Sequence, residues 1–465
     1  MAKAAGYDVA VIGAGVVGCA IARRFAIDGA SVVILERGHD VLDGASKANS
    51  AILHTGFDAP PGSLELDCIR AGHAEYLEIR ERLNLPLDRC GALVLAWTEE
   101  QTAALPALMD QARRNGIADI DPLTAGELRR LEPGLAASVQ GGFRVADESL
   151  IDPWSAAHAY LYQAIAHGAD LRCRAEVAGG RRLADHWQLD TTAGPCAAGL
   201  VVNAAGLWGD HVARLLTGES FFEIRPRKGQ FIVYDKPAAA LTRHILLPVP
   251  GKRTKGVVVC RTIYGNLLVG PTAEEQESRD EAGLVPETLE TLRRTGRKIL
   301  PGLAECEITA AYAGLRPASE EKSYRIRADL SEGLITVGGI RSTGLSAALG
   351  IATHVARLAG RQAARPVHWL RMPVLDQFGA RDWRAPGNDG IVCHCELVTR
   401  REIEAALSAP APAHSLAGLK RRTRVTMGRC QGFYCTAELA RITKGRLSQP
   451  MSRPADRRGG NGDAG

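Results

Sequence analysis

The chain has 465 residues, 46% hydrophobic and 23% charged, with a formal net charge of +5. That length is too great for one ordinary core and implies two or three globular domains. The charge is too small an excess to argue for nucleic acid, and no apolar run reaches the roughly 18–20 residues needed to cross a bilayer.

The first strand begins at about Asp8, which leaves no room for a cleavable leader, so the expected location is cytoplasmic with at most peripheral membrane contact. Tyr7 to Glu36 reads strand, turn, helix, strand, acid. Val9–Ile12 is an apolar run, and Gly13, Gly15 and Gly18 follow in G-x-G-x-x-G spacing. A helical stretch runs to about Asp28 and stops at Gly29; Ser31–Leu35 is β-branched and ends at Glu36. Gly13 permits the tight turn, Gly15 lets backbone approach a pyrophosphate, Gly18 lets helix pack on strand, and Glu36 can accept from a ribose. The motif points to an adenine dinucleotide and does not itself separate NAD from FAD.

A polar loop from Gly38 to Ser50 comes next, then Ala51-Ile-Leu-His54-Thr-Gly56. Leu64–Leu83 reads as a helix or a pair of helices, Thr102–Asn115 and Thr124–Leu131 have helical periodicity, and strands are expected at Gly91–Trp97 and Gly141–Val145. Asp152-Pro153 is an N-cap followed by proline at the first helical position, opening a helix to Gly168. Short strands follow at Ala169–Val177, Trp187–Thr192 and Gly199–Asn203. Arg225 to Val259 is β-rich, Asn266–Val269 is a strand and Val285–Leu300 an amphipathic helix. Strands at Ile308–Leu315 and Gly333–Val337 precede a glycine-bearing helix start at Gly339–Ser346. Arg365–Asn388 has little periodicity and reads as a linker; Gln449–Gly465 is polar, rich in proline and glycine, and reads as a disordered tail.

Seven of the 11 cysteines are scattered and read as small buried hydrophobes. The other four, Cys393, Cys395, Cys430 and Cys435, form a C-x-C and a C-x4-C pair, a clustering that points to metal rather than disulfides. Four thiolates suit a 2Fe–2S cluster; structural zinc is the alternative, although C-x-C is not its usual pair. Thr399-x-x-Glu402 is a capping box for a helix just after Cys395. Lys252, Arg253 and Lys255 make a basic loop, either a solvated turn or a recruiting site for a phosphate.

Several segments together resemble the glycine-oxidase/D-amino-acid-oxidase superfamily, and most nearly the FAD-dependent glycerol-3-phosphate dehydrogenases of the anaerobic type and the L-2-hydroxyglutarate dehydrogenases. They are VIGAGVVG, SKANSAILHTGF at Ser46–Phe57, VVNAAGLWGD at Val201–Asp210, RPRKGQFIV at Arg225–Val233, LLPVPGKRTKGVVV at Leu246–Val259, LLVGPTAEE at Leu267–Glu275, AYAGLRPAS at Ala311–Ser319 and GGIRSTGLSAALGIA at Gly338–Ala352. The resemblance implies an α/β fold: a discontinuous Rossmann-like FAD domain from about 1–85, 150–215 and 330–365, and a β-rich α+β substrate domain from 86–149 and 216–329. It decides for FAD over NAD.

It also implies cofactor contacts from Gly13, Gly15, Gly18, Glu36, Arg37, Ser46, Asn49, Ser50, Val177, Ala205, Gly206, Trp208, Gly339, Arg341, Ser342, Gly344 and Leu345. Arg316 matches the arginine that anchors a substrate anion, with Tyr312 and Lys255 as further substrate contacts. His54 lies in the family pattern N-S-G-x-x-H-x-G, as a base or a covalent flavin tether, and Ala51 stands where that pattern has glycine. Residues 389–446 resemble the small helical 2Fe–2S domain of bacterioferritin-associated ferredoxin. The expected protein is an FAD dehydrogenase for a small anionic hydroxy compound, glycerol 3-phosphate first, with electrons passing through the cluster to a quinone or partner redox protein. The alternatives are a 2-hydroxyacid or amino-acid dehydrogenase or oxidase of the same fold, and a non-catalytic electron-transfer protein.

Overall fold

The computed structural model describes residues 6–251, 256–361, 366–449 and 451. Tyr7–Ile12 pairs in parallel with Val32–Glu36 on one side and Cys196–Asn203 on the other. Val32–Glu36 continues to Asp170–Cys173, and Val201–Asn203 pairs in parallel with the start of Leu334–Gly338. One eight-stranded sheet is thus assembled from distant parts of the chain, with Val177–Arg182, Trp187–Thr191 and Arg325–Asp329 as antiparallel additions. Its central strands are buried on both faces, which is why they read as continuous apolar runs rather than alternating ones.

The helices Val16–Ile27, Leu64–Leu83, Pro153–Ala166 and Gly344–Leu358 pack together over this sheet. Two glycines set how closely they approach. A Cβ on Gly72 would lie 2.2 Å from Ser346 O, and one on Gly350 would lie 2.1 Å from Cys68 O. Leu64–Leu83 and Gly344–Leu358 therefore cross backbone to backbone, which holds the start of the second helix against the middle of the first at Gly72. Leu64–Leu83 is a single 20-residue helix, capped by the Ser63 side chain and ended by Asn84 in the left-handed conformation.

The second sheet has nine strands. Arg227–Tyr234 and Ile308–Arg316 pair along their length, and the register sets Arg227 opposite Arg316. Ile120–Thr124, not expected from the sequence, forms an edge strand in which Pro122 is tolerated. A small sheet of Ile52–Leu53, Leu87–Asp88 and Ser149–Ile151 lies between the two large ones.

The described part of the 366–388 stretch is irregular yet pinned. Met372 N–H donates to Leu83 O at 2.9 Å, and Gln377 N–H donates to Ile263 O at 2.9 Å. Met372 and Leu375 are buried, so the segment is a strap and not a free tether. Beyond it lie the hairpin Ile391–Cys393/Val398–Thr399 and three short helices, Arg400–Leu407, Leu416–Thr423 and Thr436–Ile442. The Thr399/Glu402 capping box forms as the sequence pattern requires. This unit docks on the loop after Val32–Glu36: Arg422 pairs with Asp40 at 2.9 Å with both side chains buried, and Arg421 pairs with Asp43 at 3.0 Å. No helix among the described residues is long and apolar enough to cross a membrane.

Candidate functional site

The glycine turn has the sterics its spacing demands. Gly13 sits at φ +101°, and a Cβ on Gly18 would come within 1.9 Å of Gly13 O. The helix after Gly15 has no cap from its own N-cap residue and no acidic residue in its first turn, so the N–H groups beyond Val16 are suited to an anion. Ser46 lies across this start, accepting from Val16 N–H at 3.0 Å. Glu36 accepts from Ala14 N–H at 2.9 Å and Gly38 N–H at 2.8 Å, while burial pushes its carboxyl pKa up. Arg37 stacks over Trp208 at 4.6 Å. Asn203 donates to Gly209 O at 2.8 Å and accepts from Ala205 N–H at 3.3 Å, holding the Ala205–Gly206 turn. Val177 is buried with Ile12 and Leu35 on one side of the sheet.

The far end is built by the 46–54 loop and the start of Gly344–Leu358. Ser346 Oγ accepts from His54 N–H at 2.8 Å and lies 3.2 Å from Ile52 O, stitching the two together. Ala51 adopts φ +60°, the left-handed conformation that glycine takes without penalty, and Asn49 Oδ1 accepts its N–H at 2.8 Å. Cys260 lies against Ser50 O. Gly339 is at φ +68°, Ser342 is exposed, and Arg341, Gly344 and Leu345 are half-buried. Gly344–Leu358 has no side-chain cap, so it too begins with N–H groups suited to an electron-rich ring edge.

His54 Nδ1 is 2.8 Å from Glu148 Oε2, and Glu148 is fully buried. Glu148 Oε1 also accepts from Thr55 N–H at 2.7 Å and Thr55 Oγ1 at 2.9 Å. Held this way, the carboxylate selects the Nδ1–H tautomer and puts the imidazole lone pair on Nε2. Sequence reasoning missed Glu148. Its one local signal is an acid set between two apolar strands.

Arg316 donates from Nη2 to Thr272 O at 3.1 Å and pairs with no carboxylate among the described residues. Burial, then repulsion from Arg227 and Arg341, lowers its pKa to about 10. Gly229 leaves room for it, since a Cβ there would lie 2.6 Å from Arg316 Nη2. Like charges directly across a strand pair are unfavourable unless an anion answers them; Glu275 answers Arg227 at 3.1 Å, which leaves the Arg316 charge for an incoming anion. Tyr312 stacks on Phe231 at 4.7 Å and donates to Asn49 O at 2.8 Å, so its hydroxyl braces the cofactor loop. Lys255 lies outside the described residues.

In the C-terminal unit, the Cys395 thiol adjoins Cys430 and the Cys393 thiol adjoins Cys435. No three His, Cys, Asp or Glu groups among the described residues converge as a single-ion site. Two neighbouring thiol pairs suit a cluster spread over two irons better than one point-like ion. Backbone N–H groups of Tyr434, Gly432 and Phe433 lower the Cys430 pKa, as a thiolate ligand needs, while burial pushes Cys435 up to about 12.

The comparisons with known proteins agree with both halves. Residues 8–358 match the FAD dependent oxidoreductase family model, and residues 391–444 match the BFD-like [2Fe-2S] binding domain. The chain is 30% identical to a glycerol 3-phosphate dehydrogenase of Caloramator mitchellensis, over 96% of this chain and 95% of that protein. It is 26% identical to one of the polypeptides of the anaerobic glycerol-3-phosphate dehydrogenase of Escherichia coli K12, covering 93% and 87% of the two. The FAD-bound L-alpha-glycerophosphate oxidase of Mycoplasma pneumoniae superposes with a TM-score of 0.74 at 25% identity, over 80% of this chain and all of the other. The chain therefore belongs to the FAD dependent oxidoreductase family, as an enzyme that binds FAD and carries a C-terminal 2Fe–2S domain.

Proposed function

We propose that this enzyme oxidises glycerol 3-phosphate to dihydroxyacetone phosphate and passes the electrons through its own cluster to a quinone or a partner redox protein. The observation that carries the substrate is the half-buried Arg316 guanidinium, set opposite Arg227, repelled also by Arg341 and, unlike Arg227, which pairs with Glu275 at 3.1 Å, answered by no carboxylate among the described residues. A phosphate near neutral pH carries a charge of about −1.5 to −2 and several acceptor oxygens, which suits this group of arginines better than a carboxylate does. The relatives named for glycerol 3-phosphate match across both modules.

FAD would be held by the starts of the two helices, Glu36 and the residues between them, and would supply a two-electron acceptor for a hydride. The other roles fall to the chain's own groups. Arg316, with Arg227 and Arg341, holds the phosphate and so fixes the distance to the secondary alcohol. His54, oriented by Glu148, takes the hydroxyl proton at Nε2. Cys393, Cys395, Cys430 and Cys435 are the cluster ligands. The reading divides the chain into 1–365 for the oxidoreductase, 366–388 for the strap and 389–446 for the cluster unit, and takes the protein as cytoplasmic, touching membrane at most peripherally. Steady-state oxidation with an artificial acceptor tests the reading. The ratio kcat/KM should be highest for glycerol 3-phosphate among glycerol, 2-hydroxyglutarate and glycine; a higher value for any of these replaces the substrate.

A further inference from the structure

The cluster unit meets the rest of the chain at a buried joint used neither by the flavin site nor by the thiols. Arg424 follows the helix Leu416–Thr423 in the left-handed conformation at φ +68°. Its Nε–H donates to Glu396 Oε2 at 2.9 Å, with side-chain exposures of only 5% and 3%. Glu396 is the residue after Cys395, and Lys236 Nζ approaches its other oxygen at 3.5 Å. The Arg424 guanidinium lies 3.7 Å from the centre of the Tyr264 ring, in the turn between Val258–Arg261 and Leu267–Gly270. That ring stacks on Trp154, with centroids 6.0 Å apart and planes 14° from parallel. Trp154 in turn donates its indole N–H to Lys47 O at 3.3 Å, between Ser46 and Asn49. A continuous path of contacts therefore runs from the Cys395 loop through Glu396, Arg424, Tyr264 and Trp154 to the loop proposed to lie beside the flavin.

A charge buried this deeply costs desolvation, and a well-packed apolar joint would hold the units together as well. What the charged joint adds is selectivity: a guanidinium on a ring face, tied to one carboxylate, favours one docked arrangement over sliding alternatives. We propose that Arg424 is a positioning residue for electron transfer, holding the Cys395 loop against the cofactor loop so that electrons pass to the cluster in a single docked geometry. This rests on the reading that flavin and cluster exchange electrons within the chain. The two electrons of reduced flavin leave one at a time, each reducing the cluster once, with its protons released to solvent. An external one-electron acceptor reoxidises the cluster between the two transfers.

The test uses the full-length holoprotein with its flavin reduced photochemically, so that the substrate assignment does not enter. Cluster bleaching is followed in time, and backbone hydrogen exchange across 393–399 is followed separately without any reduction. Arg424→Met should slow cluster reduction roughly tenfold or more and speed exchange in that loop, with FAD content unchanged. Arg424→Lys should fall between. Tyr264→Phe keeps the ring face that Arg424 and Trp154 meet and should match wild type, whereas Tyr264→Leu removes that face and should follow Arg424→Met. Should Arg424→Met not fold, the Phe/Leu contrast at Tyr264 decides alone. Wild-type rates in Arg424→Met, or in Tyr264→Leu, overturn the proposal; a wild-type cluster that reduced flavin never bleaches overturns it together with the reading beneath it.

Discussion

Replacing Arg316 by methionine separates anion binding from the rest of the reaction. The guanidinium is half-buried, faces Arg227 across the strand pair and donates an N–H to Thr272 O. A phosphate bound there would take two charge-assisted hydrogen bonds, each worth about 1.5–3 kcal/mol. Allowing for imperfect additivity, their loss is about 3–5 kcal/mol, or roughly 10²–10⁴ in kcat/KM for glycerol 3-phosphate. Glycerol has no phosphate, so its much poorer oxidation should change little. Methionine also removes a half-buried charge next to two others, so thermal stability should hold or rise. The assay is flavin bleaching under anaerobic conditions with each substrate, with melting followed in parallel. A kcat/KM for glycerol 3-phosphate within about threefold of wild type, or equal losses on both substrates, would rule out the assignment.

Other expected outcomes follow from the same geometry. Glu148→Gln keeps the shape but loses the carboxylate that orients His54, so kcat should fall about 10–100-fold with KM little changed, as measured by steady-state kinetics. Ala51→Gly should raise stability by about 0.5–1 kcal/mol in a denaturant melt, because it removes the left-handed alanine. Gly18→Ala drives a methyl into Gly13 O, so the purified protein should lack FAD in its visible spectrum. The Arg316 pKa, lowered to about 10, means the cation is intact below that pH and lost as pH rises through it; KM for glycerol 3-phosphate should be flat near pH 8–9 and climb above about 10, and anion binding should push that limb upward.

The parts legible in the sequence are those in which local sterics or a shared chemistry dictate the residue. Gly13 and Gly18 are forced by a turn and a helix–strand approach, and the two cysteine pairs by thiolate chemistry, so both modules could be read without the fold. What stayed hidden depends on long-range pairing. Glu148 lies 94 residues from His54, and nothing local says that the two meet. Arg227 was visible only as part of a matching segment until register set it opposite Arg316. The joint at Arg424 and Tyr264 joins residues far apart in the chain and belongs to a contact between units, for which periodicity carries no signal. Pro122 masked an edge strand, and the strap at 366–388 lacks periodicity because it packs through a few anchors such as Met372 and Leu375.

A phosphate-bearing alcohol oxidised at a flavin that feeds a cluster in the same chain leaves an ordered optical record. It is read by mixing the purified protein anaerobically with one equivalent of glycerol 3-phosphate and following the flavin and cluster bands together. The flavin band should be lost rapidly, followed by partial bleaching of the longer-wavelength cluster band, with stoichiometric dihydroxyacetone phosphate. An unchanged flavin band with glycerol 3-phosphate, alongside bleaching by 2-hydroxyglutarate or an amino acid, would mean that the enzyme oxidises a different anion.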